Sequence, residues 1–188
     1  MRIIAGEYRG RKLGSPRGDA LRPTADRLKE TLFDILGPAI RGAVVLDVFA
    51  GTGSIGLEAL SRGAREAVFV ESSAAAVRLI RENLERCGIW SGYRLIRQDA
   101  FTALRILAKE GFAADFAFLD PPYDWKPYRD LLDLLFDTGI AQADARVVIE
   151  HARRSVLPES GRRFARTRVV RQGDHCLSFY SAADTVPD

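Results

Sequence analysis

Two cysteines in 188 residues, Cys87 and Cys176, are too few and too far apart for a disulfide framework or a zinc site. Reduced thiols and a cytoplasmic setting are the expectation. Histidine is equally scarce: His151 and His175 belong to no serine or cysteine motif, so neither is assigned a catalytic role, and no metal site is expected. No apolar run approaches the roughly 20 residues of a membrane span. The first residues, Met1-Arg2-Ile3-Ile4-Ala5-Gly6, are too short and too soon charged to read as a signal peptide. Repeats, low-complexity tracts and linkers are absent as well. What remains is a chain of ordinary hydrophobic content, 47%, with room for one α/β domain and a modest extension.

The net charge of +3 hides an uneven distribution. Residues 1–41 carry 9 Lys and Arg against 5 Asp and Glu, a balance of +4. Residues 42–150 carry 12 against 16, or −4, and residues 151–188 carry 7 against 4, or +3. A slightly acidic centre flanked by two basic segments is an electrostatic footprint for a polyanion, nucleic acid first among them.

The stretch Val44 to Leu60 organises the rest. An apolar run, Val44-Val45-Leu46-Asp47-Val48, breaks at Phe49-Ala50-Gly51-Thr52-Gly53-Ser54-Ile55-Gly56 and continues as a helical pattern. That order predicts a buried strand, a tight turn and a helix N-terminus, the arrangement of a nucleotide-type cofactor site. The Gly51-x-Gly53-x-x-Gly56 spacing predicts close approach of backbone to ligand. Asp47 narrows the choice of ligand. A carboxylate just before the turn would repel a pyrophosphate and suits a ligand carrying an ammonium and a sulfonium, as S-adenosyl-L-methionine does. The run Leu46 to Gly53 resembles the first motif of Rossmann-like S-adenosylmethionine-dependent methyltransferases, whose turn and strand-end acid hold the methionine part of the cofactor.

Strands and helices alternate along the chain. A strand, turn and strand are expected over 1–13, a loop over 14–19, and a helix capped by Thr24 or Asp26 that ends at Gly37-Pro38. Further strands are expected at 67–70, 93–97, 115–119 and 146–150. Helices are expected from Ser72 or Ser73 to about Arg86, from Thr102 to Lys109 and from Tyr128 to Phe136. The last strands, 167–171 and 176–180, flank Gly173-Asp174, a hairpin-type turn. Alternation from Val44 to Glu150 argues for a parallel sheet covered on both faces.

Glu71 ends the second strand of this series, twenty positions after Gly51, where an acid can accept both ribose hydroxyls of an adenosine cofactor. The spacing also fits a dinucleotide enzyme, and Glu71 could equally be an exposed strand-end acid. Asp99 matches the family position that accepts the adenine amino hydrogen, with Ala100 beside it, unless it is a helix N-cap. Ser72 falls next to Glu71 on the same edge. Asp120-Pro121-Pro122-Tyr123 follows the fourth strand and faces that edge too. It resembles the Asp/Asn-Pro-Pro-aromatic motif of enzymes that methylate exocyclic or amide nitrogens. Asp120 and the Pro121 carbonyl can each accept one N–H, the prolines fix that carbonyl's direction, and Tyr123 offers a face for a flipped base.

The N-terminal runs Arg2-Ile3-Ile4-Ala5-Gly6, Arg9-Gly10-Arg11-Lys12-Leu13 and Arg22-Pro23-Thr24-x-Asp26-Arg27-x-Lys29-Glu30-Thr31-Leu32-Phe33-Asp34-Ile35-Leu36 closely resemble the bacterial RsmD-type 16S rRNA guanine-N2 methyltransferases. The likeness spans residue 1 to about 180. It implies a seven-stranded, mostly parallel sheet with an antiparallel edge hairpin, helices on both faces, and an N-terminal β-hairpin and helix. The expected division is an arm and helix over 1–40 and a cofactor domain over 41–188. The resemblance further implies methyl transfer to a guanine of small-subunit ribosomal RNA, in an assembling or assembled subunit, with Arg9, Arg11, Lys12, Arg22, Arg27 and Lys29 touching RNA phosphates. Another amino-methyltransferase acting on adenine, or an RNA-binding module without catalysis, are the competing readings.

Overall fold

The computed structural model describes residues 1–15 and 23–183. Among them, five helices surround one seven-stranded sheet. The strands are β1 (Val44–Val48), β2 (Glu66–Val70), β3 (Tyr93–Ile96), β4 (Ala114–Leu119), β5 (Ala141–Ala152), β6 (Phe164–Gln172) and β7 (His175–Ala182). The helices are α1 (Pro23–Leu36), α2 (Ser54–Ser61), α3 (Ala74–Arg86), α4 (Ala100–Lys109) and α5 (Tyr128–Asp137). A short 3-10 turn, Gly37–Ile40, follows α1. The sheet order is β3-β2-β1-β4-β5-β7-β6, parallel from β3 to β5, with β7 and β6 antiparallel.

β1 is buried at every position, as a central parallel strand covered on both faces must be. Its alternate residues serve two cores. Leu46 and Val48 join α4, α5 and the β4 and β5 residues Ala117, Leu119, Val147 and Ile149 on one face. Val45 looks the other way, into a cluster with Leu28, Leu32 and Phe33 of α1 and Ala59 of α2. A third cluster on that same face packs Leu57, Ile80 and Leu84 of α2 and α3 on Phe69, with Ile3 and Leu13 from the N-terminal arm. The arm and α1 thus pack on the same side of the sheet as α2 and α3.

Most boundaries fall within a residue or two of the sequence expectation, and the departures have local causes. The helix α1 starts at Pro23, so Thr24 and Asp26 lie inside its first turn instead of capping it. Proline fits that first position because its missing N–H would have no helical partner. Helix α4 starts at Ala100 because the Asp99 side chain caps it, accepting from the Thr102 amide at 3.0 Å. Strand β5 is longer than its apolar run predicts, since Gln142, Ala143 and Asp144 extend it while exposed. The N-terminal hairpin is reduced to a single bridge, Arg2 with Lys12, held by the Ile3 amide on the Arg11 carbonyl at 3.0 Å.

Candidate active site

The sheet order reverses between β1 and β4, and open α/β sheets bind ligands outside the carboxyl ends of strands at such a point. A cavity of about 960 Å³ lies there. Its wall brings together Asp47, Phe49, Ala50, Gly51 and Thr52 from the first turn, Glu71 and Ser72 after β2, and Asp120, Pro121, Pro122 and Tyr123 after β4. Two motifs about seventy residues apart thus share one cleft, as their positions after parallel strands require.

Asp47 is 2% exposed and sits under the turn, its Oδ2 accepting the Gly56 amide at 3.0 Å. Burial pushes its carboxyl up to about 8 despite that hydrogen bond, and the nearby acids Asp120 and Glu71 push the same way. Glu71 is tied at both oxygens: Oε2 accepts the Gly51 amide at 2.9 Å and Oε1 the Ser73 amide at 2.8 Å. Each oxygen keeps a second lone pair. Glu71 thereby joins the end of β2 to the glycine turn and shapes the floor on which a ligand would lie.

The turn itself departs from expectation. Gly53, at φ +74°, caps α2 in the left-handed region, and neither it nor Gly56 lines the cavity. A Cβ on Gly56 would stand 2.3 Å from the Phe69 ring, so this glycine serves the approach of helix to strand. Only Gly51 of the three lines the cleft. Phe49 also has positive φ, +62°, an unusual conformation for a residue with a side chain. Its ring meets Trp125 edge-on at 5.4 Å, and Trp125 in turn meets Tyr128 at 5.1 Å. That aromatic cluster, tied to the loop by the Trp125 amide on the Pro122 carbonyl at 2.9 Å, was not visible in sequence, because Trp125 belongs to no motif.

Asp99 and Ala100 lie outside the cavity lining, and the Asp99 carboxylate is the N-cap of α4. Its hydrogen bonds to Thr102 hold it below the usual carboxylate range. Three residues that sequence reasoning left without a role do line the cleft: Glu150 at the end of β5, its neighbour His151, and His175 at the start of β7. His175 Nδ1 lies 3.1 Å from Glu150 Oε1, and its ring faces that of Tyr123 at 6.3 Å. Tyr123 itself is 59% exposed, presenting a free face to the cleft mouth. Asp120 opens to the cleft on one side. The surrounding protein raises its carboxyl, Glu150 raises it further, and His175 opposes both. Among the described residues, no group of three or more His, Cys, Asp or Glu could hold a metal ion.

The basic residues divide sharply. Lys29 was expected to touch phosphate, but it is buried, 4% exposed. Its Nζ donates to the Arg2 carbonyl at 2.7 Å and lies 3.4 Å from Glu58 Oε2, so it is a structural ion-pair partner. Arg9, Arg11, Lys12 and Arg27 are exposed, and Arg22 lies outside the described residues. The tip of the arm docks on Ser61, with the Glu7 amide on its carbonyl at 2.8 Å and the Tyr8 amide on its Oγ at 3.0 Å. Ser61 ends α2, which begins at the cleft, so Arg9 sits at the far end of the sheet. Arg11 donates to the Cys87 carbonyl and stacks over Tyr8 at 5.0 Å.

Comparison with known proteins agrees with this geometry. Residues 1–181 match the family described as "Conserved hypothetical protein 95". The chain is 38% identical over 160 residues to the putative rRNA methyltransferase YlbH of Bacillus subtilis, covering 85% of this chain and 87% of the relative. It is 38% identical to ribosomal RNA small subunit methyltransferase D of Escherichia coli, covering 84% of this chain and 78% of that one. A solved structure of the putative methyltransferase yhhF from Escherichia coli superposes with a TM-score of 0.82 at 35% identity, covering 97% of both chains. A Streptococcus mutans structure, a putative SAM-dependent methyltransferase, shares the fold alone, with a TM-score of 0.69 at 12% identity over 86% of this chain and 49% of that one. With its acid-and-glycine turn and its Asp-Pro-Pro-Tyr loop on one cleft, the chain belongs to the conserved hypothetical protein 95 family, the RsmD-type methyltransferases.

Proposed function

We propose that this protein transfers a methyl group from S-adenosyl-L-methionine to the exocyclic N2 amine of one guanine in small-subunit ribosomal RNA. The observation that carries the reading is the joint placement of Asp47, Glu71 and Asp120-Pro121-Pro122-Tyr123 on a single cavity. The named substrate of the methyltransferase D relatives supplies the RNA. A ribosomal RNA substrate in turn supports a cytoplasmic location, and no helix among the described residues is long and apolar enough to cross a membrane.

The cavity fits the cofactor. Asp47 is a buried carboxylate with a raised pKa and a single amide donor, and an ammonium group would supply the charge it lacks. Glu71 retains lone pairs for ribose hydroxyls, and Phe49, Ala50, Gly51, Thr52 and Ser72 provide the surrounding wall. When bound, the cofactor supplies an electrophilic methyl group. Asp120 and the Pro121 carbonyl accept the two amine hydrogens and turn the nitrogen lone pair toward the donor site, so that positioning accounts for much of the rate. Asp120 also stabilises the positive charge that develops on nitrogen. Tyr123, exposed and edge-on to His175, stacks on the extruded base.

RNA contacts are best supported around the cleft mouth. Strand β5 ends and β7 begins at the carboxyl edge, so exposed Arg153, Arg154 and Arg171 border the same opening, with the Arg153 amide on the Asp174 carbonyl at 2.8 Å. Arg27, near the start of α1, stands by the same hairpin: Thr31, one turn on, lies 3.5 Å from Gln172, the neighbour of Arg171. Arg9, at the tip of the arm, would reach only RNA that wraps past α2, whereas Lys12 pairs with Arg2 beside Met1, which lines the cleft. We further infer that residues 1–40 are integral to the domain, and that the substrate is RNA in an assembling or assembled subunit. Methyl incorporation into protein-free small-subunit RNA, assembled subunits and duplex DNA, measured side by side, tests the whole reading. RNA or subunit labelling supports it; equal labelling of DNA contradicts it.

A further inference from the structure

Register pairing sets Leu119 against Ile149 at the last rung of the β4–β5 ladder. The next residues on the two strands are Asp120 and Glu150, and neighbouring strands run about 4.8 Å apart. Both carboxylates line the cleft, and His175 reaches across from β7 to Glu150 at 3.1 Å. We propose that Glu150, anchored by His175 and adjacent to Asp120, is a second carboxylate of the catalytic centre and receives the proton shed by the methylated amine. This rests on the methyltransferase reading above.

The nitrogen lone pair forms the N–CH₃ bond while the donor C–S bond breaks and leaves its electron pair on sulfur. The nitrogen, now cationic, passes one N–H proton to a Glu150 oxygen, and a neutral secondary amine remains. The proton goes on to water as product leaves. Asp120 stays engaged in orienting the amine, and the Pro121 carbonyl cannot retain a proton, so a second carboxylate completes the centre. His175 keeps Glu150 directed at the cleft and limits the repulsion between two adjacent acids. The titratable groups that act on Asp120, or on which it acts, are Asp47 on β1, Glu150 on β5, His175 on β7 and Tyr128 on α5, while Glu71, Tyr123, His151 and Lys29 line the same cavity. Burial raises Glu150, and Glu150 raises Asp120, so the pair is linked in its ionisation.

The test is a pair of pH titrations on the full-length protein. In single-turnover methylation of small-subunit RNA, Glu150→Gln should lower the plateau rate at least about tenfold. It should also move the acid limb to lower pH, because Asp120 loses the neighbour that raises it. His175→Gln should move the limb to higher pH, and Glu150→Asp should hold it near the wild-type position. Carbon-13 carboxyl NMR of the ligand-free protein should show the Asp120 titration shifted down in Glu150→Gln, independently of activity. An undiminished plateau rate in Glu150→Gln, or an unmoved limb together with an unmoved Asp120 titration, would overturn the proposal. Absence of methylation by the wild-type protein would instead remove the methyltransferase reading itself.

Discussion

Lys29 Nζ lies 3.4 Å from Glu58 Oε2 in the interior, with the lysine side chain 3% and the glutamate 0% exposed. Glu58 also accepts the Ile4 amide at 2.8 Å, the Ala5 amide at 3.0 Å and the Arg62 Nε at 2.8 Å. One buried carboxylate on α2 therefore ties down the arm, α1 and its own helix end. A buried charge of this kind persists because every part of it is paired, and removing one partner exposes the cost of the rest.

Lys29→Met is accordingly expected to destabilise the fold by about 3 kcal/mol, less any share Arg62 retains. Urea unfolding measures it. The salt dependence of RNA binding should be unchanged in the same variant. A stable Lys29→Met protein with a flatter salt slope would return Lys29 to the RNA surface.

Asp47 gives the ligand-free protein a characteristic pH dependence. Its folded ionisation near pH 8 lies well above the roughly 3.9 of an unfolded aspartate. Between those values the folded state holds a proton that the unfolded state has lost, so this group makes stability fall as pH rises from 4 toward 8. Asp47→Asn should flatten that slope in unfolding experiments at pH 5 and pH 8. Cofactor binding near pH 7 should release a proton in the wild type and none in the variant, as calorimetry in two buffers of different ionisation enthalpy would read. Equal proton release in both would place the cationic end of the ligand elsewhere.

Glu71 holds the turn through Gly51, and we propose that its remaining lone pairs meet the ribose. Loss of a charged hydrogen bond costs on the order of 1.5–3 kcal/mol, so Glu71→Ala should weaken S-adenosylhomocysteine binding by roughly ten- to a hundredfold. Tight NAD binding that depends on Glu71 would contradict the cofactor assignment.

The two basic regions make opposite predictions. Charge reversal at Arg153 and Arg154 should weaken RNA binding and reduce the slope of log affinity against log salt by about 0.7 per lost single-stranded contact. Reversal at Arg9, beyond α2 from the cleft, should change both less. The reverse ranking would put the RNA along the arm.

The central strands and the site's two motifs were legible in the sequence because each rests on local pattern. Val44 to Val48 is an unbroken apolar run around one acid, and Asp120-Pro121-Pro122-Tyr123 announces itself by residue type. What stayed hidden depends on contacts distant along the chain. Lys29 looks like any helical surface lysine until Glu58, twenty-nine residues away, is brought under it. Glu150 and His175 carry no motif, and only the antiparallel return of β7 sets one against the other. The arm's arginines share a sequence neighbourhood with one another, yet α2 carries their tip to the wrong end of the sheet for the cleft.

The modified nucleoside is the most direct readout of the reaction. Small-subunit RNA incubated with the protein and S-adenosylmethionine, digested to nucleosides and read by mass spectrometry, should yield N2-methylguanosine at about one per RNA molecule. Asp120→Ala should abolish nearly all of it while S-adenosylhomocysteine affinity is kept. N6-methyladenosine in its place, or a near-normal yield from Asp120→Ala, would contradict the assignment.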